Sequence, residues 1–126
     1  MIFMKKLKAR KNITELEFLI IERIKRIRIE KGLSKMELSE AIGVSNSFVG
    51  KVESLSHPDK YSFKHLYKIS KVFEIKSVRE LIPKEIPRYG DIEIIYEMVP
   101  KKNKDGSQSK QLEANVLEIN PIEKLT

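Results

Sequence analysis

A mainly α fold, five helices forming one small domain with a C-terminal β-hairpin appendage, is the expectation for this chain. Three observations carry it. A hydroxyl residue followed three positions later by glutamate recurs at Thr14/Glu17, Ser34/Glu37 and Ser77/Glu80, the capping-box signature of a helix start. Downstream of these starts, apolar residues repeat at the three-and-four spacing of a helix with one buried side. After Pro83 the pattern changes to period two, in Asp91–Val99 and Leu112–Ile119, on either side of an Asp105–Gly106 turn signal.

The 126 residues allow one domain with an appendage. Residues 1–13 carry Lys5, Lys6, Lys8, Arg10 and Lys11 without an acid, and read as a basic, solvated arm, either frayed or following a polyanion. Residues 14–83 hold the helices. The first runs from Thr14 to about Lys31, before Gly32, with Leu16, Ile20, Ile24 and Ile27 on its core side. Phe18, Ile21 and Ile29 make a second apolar stripe, suited to the C-terminal segment or a second subunit.

Two short helices follow. Ser34 caps the first, which carries Leu38, Ala41 and Ile42 on one side and ends at Gly43, where a left-handed residue is needed. Ser45 is placed to cap the next, which turns Phe48, Val49 and Val52 inward and Asn46, Ser47, Gly50 and Lys51 outward. Ser39 is small where these two helices cross. No carboxylate lies between Ala41 and Val52, so this surface suits phosphate.

Leu38, Ser39, Gly43, Val49 and Glu53, at these spacings, resemble the helix-turn-helix of the lambda-repressor and Cro-like (Xre) regulators. The resemblance spans about Phe18 to Ile82, roughly half of the chain. It implies a five-helix lambda-repressor-like DNA-binding domain. It further implies that Asn46, Ser47 and Lys51 meet base edges, and that Lys35, Ser45, Gly50, Lys60 and Tyr61 lie along the DNA backbone. Lys35 stands where the family often has Gln, and Leu55 where it often has Gly.

The loop 54–61 (SLSHPDKY) holds Ser56, His57 and Asp59, too close in sequence for a base–orienter geometry; they read as a polar turn around Pro58. Ser62 caps a fourth helix with Phe63, Leu66, Ile69, Val72 and Phe73 at core spacing, and with Lys64, His65, Lys68 and Lys71 solvated. A fifth, short helix from Ser77 ends at Pro83. Residues 84–90 form a linker and 91–126 the hairpin, for dimerisation or partner binding. With Asp105–Gly106 at the turn centre, Ile92 opposes Ile119, Ile94 opposes Leu117, Ile95 opposes Val116 and Val99 opposes Leu112. An isolated hairpin is marginal in water, so it needs its own helical domain or a second chain, and dimerisation is favoured.

Lys and Arg number 25 against 18 Asp and Glu, a net charge of +7 concentrated before residue 91, which points to a polyanion partner. Cysteine is absent and histidine numbers two, so no metal site is expected. No catalytic constellation, glycine-rich phosphate loop or cofactor site is expected either. No apolar run approaches a membrane span, and a cytoplasmic setting is the default. The function expected is sequence-specific double-stranded DNA binding as a dimer, a transcriptional regulator and more readily a repressor than an activator. The alternatives are an antitoxin, with residues 91–126 masking a toxin, and a protein-interaction adaptor that keeps the helical fold without DNA.

Overall fold

The computed structural model describes residues 8–122. Strand β1 (Lys8–Thr14) leads into α1 (Glu15–Glu30), α2 (Lys35–Ala41), α3 (Phe48–Glu53) and α4 (Phe63–Phe73). A 3-10 turn at Val78–Leu81 comes next, then strands β2 (Asp91–Lys102) and β3 (Gln108–Pro121). Among the described residues, four α-helices therefore stand where five were expected. The fifth segment has its Ser77/Glu80 capping box, but Pro83 arrives too soon for more than one tightened turn. The boxes at Thr14/Glu17 and Ser34/Glu37 are formed as expected. Ser62 caps α4 too, with an unforeseen partner. Its backbone N–H donates to His65 Nδ1 at 2.9 Å, so His65, expected on the solvated face, belongs to the cap.

The hairpin belongs to a three-stranded antiparallel sheet ordered β1-β2-β3. Residues 8–13 were expected in a basic arm, and instead pair with β2; Lys5 and Lys6 lie outside the described residues. β1 has one buried apolar residue, Ile13, which is why alternation did not reveal it. Acidic β2 supplies the complement: Lys8 stands opposite Glu97, and Arg10 reaches Glu93 at 3.3 Å. The end of the 84–90 linker is tied to α1, with Glu15 N–H donating to the Gly90 carbonyl at 2.7 Å and Tyr89 N–H to the Glu15 carboxylate at 3.0 Å.

The β2–β3 register also differs from expectation. Ile92 pairs with Pro121, Ile94 with Ile119, Ile95 with Glu118 and Val99 with Glu113, because the register shifts at Ile95/Tyr96 and again between Pro100 and Lys102. Such bulges add a residue to one strand and re-aim the side chains beyond it. Asp105–Gly106 does lie in the turn, with Gly106 at φ 89°.

Two cores result. Ile24, Ile27, Leu38, Ile42, Val49, Leu66, Ile69, Phe73 and Leu81 fill the helical one. The second, between the sheet and α1 and α3, is built from Ile13, Ile21, Val52, Ile92 and Ile94, with Phe18 and Leu55 packed on it. The second stripe of α1 is thus partly explained: Phe18 and Ile21 seat the sheet, while Ile29 stays exposed. At roughly 1.5–3 kcal/mol for each large apolar side chain buried, these contacts stabilise strands that would be marginal alone. Among the expected core residues, Leu16 is 42% exposed and Phe63 is 92% exposed, each in the first turn of its helix, and Ala41 is exposed at the end of α2. No helix among the described residues is long and apolar enough to cross a membrane.

Candidate nucleic-acid interface

The turn between α2 and α3 is set by backbone geometry. Gly43 adopts φ 76°, letting its N–H return to the Glu40 carbonyl at 3.1 Å and Val44 N–H to the Ser39 carbonyl at 3.1 Å. The chain then crosses back, and Ser39 joins the two helices. Its buried hydroxyl donates to the Lys35 carbonyl at 2.9 Å and accepts from Val49 N–H at 3.0 Å. Val49 N–H is one of the unpaired donors of a helix start, so α2 supplies the cap of α3 through a side chain.

That arrangement corrects the role expected for Ser45. α3 begins at Phe48, and no side-chain cap bond is made at Ser47. The Ser45 carbonyl accepts Phe48 N–H at 3.0 Å, a tight turn that brings the Phe48 ring against His65 and Tyr61. Asn46 and Ser47 sit in this turn and Lys51 one turn on. All three are exposed, and Ser45 is exposed beside them. Gly50 shares the outward side, where an added Cβ would meet only the Lys35 side chain, at 3.8 Å. No carboxylate lies between Ala41 and Glu53, and Glu53 points inward.

Glu53 is the anchor of the site. Arg28 donates through Nε and Nη2 to its two carboxylate oxygens at 2.8 and 2.9 Å, and through Nη1 to the Leu33 carbonyl at 2.7 Å. The side chains are only 8% and 2% exposed. The fork ties the end of α3 to α1 and to the turn before α2, so the outward residues ride on a fixed support. Sequence reasoning missed this pair. The signal was an arginine directly after Ile27 on the core stripe, with a single glutamate closing α3.

Lys35 opens α2 and is exposed. Desolvation pulls its ammonium below the usual lysine range. Glu53 opposes that, and the cations of Lys101, Arg28 and Lys25 add to it. Lys60 is exposed but engaged with Glu17 at 3.1 Å; an exposed pair of this kind holds about 1 kcal/mol at most. Lys11, next to it, donates to the His57 carbonyl. Tyr61, expected along the DNA backbone, turns inward. Its hydroxyl is buried without a hydrogen-bond partner, and desolvation, with a smaller push from Glu53, holds the phenol well above its usual range. Its ring touches both cores, so packing determines its place. Asn46, Ser47, Lys51, Gly50 and Lys35 thus lie on or beside one outward surface, and Tyr61 does not.

A family model described as helix-turn-helix matches residues 24–81. Three solved structures are similar. The first, a SinR protein/SinI protein complex, is 37% identical over 52% of this chain and 61% of that one, with a TM-score of 0.44; this chain therefore spans under two thirds of it. SinR, described as the master regulator for biofilm formation and solved in complex with DNA, is 39% identical over 49% of this chain and 95% of that one, with a TM-score of 0.42. The N-terminal DNA binding domain of SinR from Bacillus subtilis is 34% identical over 54% and 97%, with a TM-score of 0.44. No curated protein matches the chain.

Proposed function

This chain belongs to the lambda-repressor-like helix-turn-helix family of DNA-binding transcriptional regulators, and from that premise we propose that it reads duplex DNA with α3 as a dimeric repressor. The observation that carries this reading is the joint exposure of Asn46, Ser47 and Lys51, in a stretch without a carboxylate from Ala41 to Val52, on a buried, hydrogen-bonded foundation. The major groove is wide enough for one helix and displays a distinct pattern for each base pair. Lys51 donates to guanine O6 and N7, Asn46 pairs with adenine, and Ser47 meets either a base edge or a phosphate. Lys35, Ser45 and Lys60 take phosphates on either side, with Lys60 exchanging Glu17 for one, and Gly50 leaves room for the duplex.

One reading helix covers few base pairs, so a two-fold dimer on a pseudo-palindrome gives useful selectivity. β3 supplies a surface for it. It is the longer of the two edge strands, fourteen residues against seven in β1, and Leu112, Val116 and Ile119 on it are exposed. An unpaired edge of this length pairs readily with another strand, here the β3 of a second copy. Bound across a promoter, the dimer obstructs transcription, which is the repressor reading.

Selection of bound duplexes from a random pool tests the proposal. Enrichment of two related half-sites about 10–10.5 base pairs apart, or a multiple of that, is expected. A pool that shows no enrichment, for protein that is folded by circular dichroism, would remove the sequence-specific reading. Sedimentation at micromolar concentration tests the dimer separately.

A further inference from the structure

The hairpin does not stop at the second core. Beyond the buried Tyr96, β2 continues to Lys102, roughly 20 Å at about 3.3 Å per residue. Along this length it passes α3 and the start of α2. Lys101 lines one groove with Lys25, Lys35 and Gly50, so a hairpin cation stands beside the outward surface of the helix-turn-helix. At its end, the turn is held by its own bonds. Asn103 N–H donates to the Ser107 carbonyl at 2.7 Å, and Gly106 N–H to the Asn103 carbonyl at 2.9 Å. The Asp105 carboxylate accepts from the Ser107 hydroxyl at 2.6 Å and from its N–H at 2.9 Å, so the one acid of the turn is turned onto its own backbone. Lys102 and Lys104 are left exposed there.

We propose that the hairpin is a second DNA-backbone element, in which Lys101, with Lys102 and Lys104 at the turn, binds phosphates alongside those taken by Lys35. Like charges are gathered in this groove. Among the described residues none of Lys25, Lys35 and Lys101 has an ion-pair partner, and Glu53, the nearest buried acid, is committed to Arg28. Glu22 and Glu113 also line the groove and offset part of the charge. The cations of Lys101, Arg28 and Lys25 act on Lys35, a repulsion that a bound phosphate relieves. The occupant is a phosphodiester backbone because the same groove includes Gly50, on the side of α3 that faces the duplex. The inference rests on the DNA reading of α3.

The test uses the full chain and fluorescence anisotropy between 50 and 200 mM salt, on a selected duplex and on a random one. Replacing Lys101→Gln, Lys102→Gln and Lys104→Gln together is expected to weaken binding by the same factor on both duplexes. The slope of log K against log salt should become shallower by about 0.9 for each phosphate that is no longer neutralised. A control, Lys76→Gln, Arg79→Gln and Lys84→Gln, removes equal charge from the cleft beside the 3-10 turn and should keep the wild-type slope. If wild type binds and the hairpin variant keeps its slope, or if the control weakens as much, the hairpin role is overturned and the α3 reading stands. If wild type binds neither duplex, both are overturned.

Discussion

Glu53→Ala removes one half of the most enclosed charge pair among the described residues, and its cost can be worked from the contacts. Two hydrogen bonds at 2.8 and 2.9 Å disappear, while the Arg28 guanidinium stays buried with only the Leu33 carbonyl as acceptor. Leaving a buried charge uncompensated costs about 3–5 kcal/mol. A domain of this size has roughly 5–15 kcal/mol in total, so the loss is at least about a fifth of its stability. Urea unfolding followed at 222 nm, with linear extrapolation, measures it. Replacing both partners by apolar residues, Arg28→Met with Glu53→Met, should recover most of the loss, because no charge is then stranded. If Glu53→Ala falls within about 1 kcal/mol of wild type, or the double variant is no better than the single one, the pair is not the anchor described. The same variant should lose DNA affinity under conditions where it remains folded, since the end of α3 is released from α1.

Ser39→Ala should cost about 1–3 kcal/mol by stranding Val49 N–H, and hydrogen exchange should quicken at Val49 more than at Ile69. Gly50→Ala should stabilise the fold by up to about 1 kcal/mol, since the new methyl meets only Lys35 at ordinary contact distance, and yet should weaken DNA binding. Desolvation, then Lys68 and Lys64, hold the His65 imidazolium below its usual value of 6.5, so the unfolded chain takes up that proton first. Its contribution is present above pH 6.5 and is lost as pH falls from there towards the lower folded value. His65→Gln, whose side-chain carbonyl can still accept Ser62 N–H, should flatten stability across that window while leaving the carboxylate-driven loss at lower pH.

Features set within a few residues were legible. The capping boxes and Gly43 are local, so side-chain spacing alone located α1, α2 and the turn before α3. Features set by distant partners were less so. Arg28 and Glu53 are 25 positions apart, and only Arg28's place beside the core stripe hinted at the fork. β1 has one buried apolar residue, and its strand character comes from lying against β2. The hairpin register depends on bulges that side-chain alternation does not encode. At the site, the outward placement of Lys51 follows from helical period, whereas Asn46 and Ser47 are exposed in the turn before α3 and not on the helix that the spacing predicted. The inward turn of Tyr61 does not follow from period, because it depends on Phe48 and His65 across the loop.

The most direct measurement is the base preference of Lys51→Ala and Asn46→Ala, scored on the selected duplex with every position of a half-site substituted in turn. Each folded variant should lose discrimination at its own base pair by about 1–3 kcal/mol and keep the wild-type preference elsewhere. Variants that retain the wild-type preference at every position would contradict the claim that α3 reads the bases.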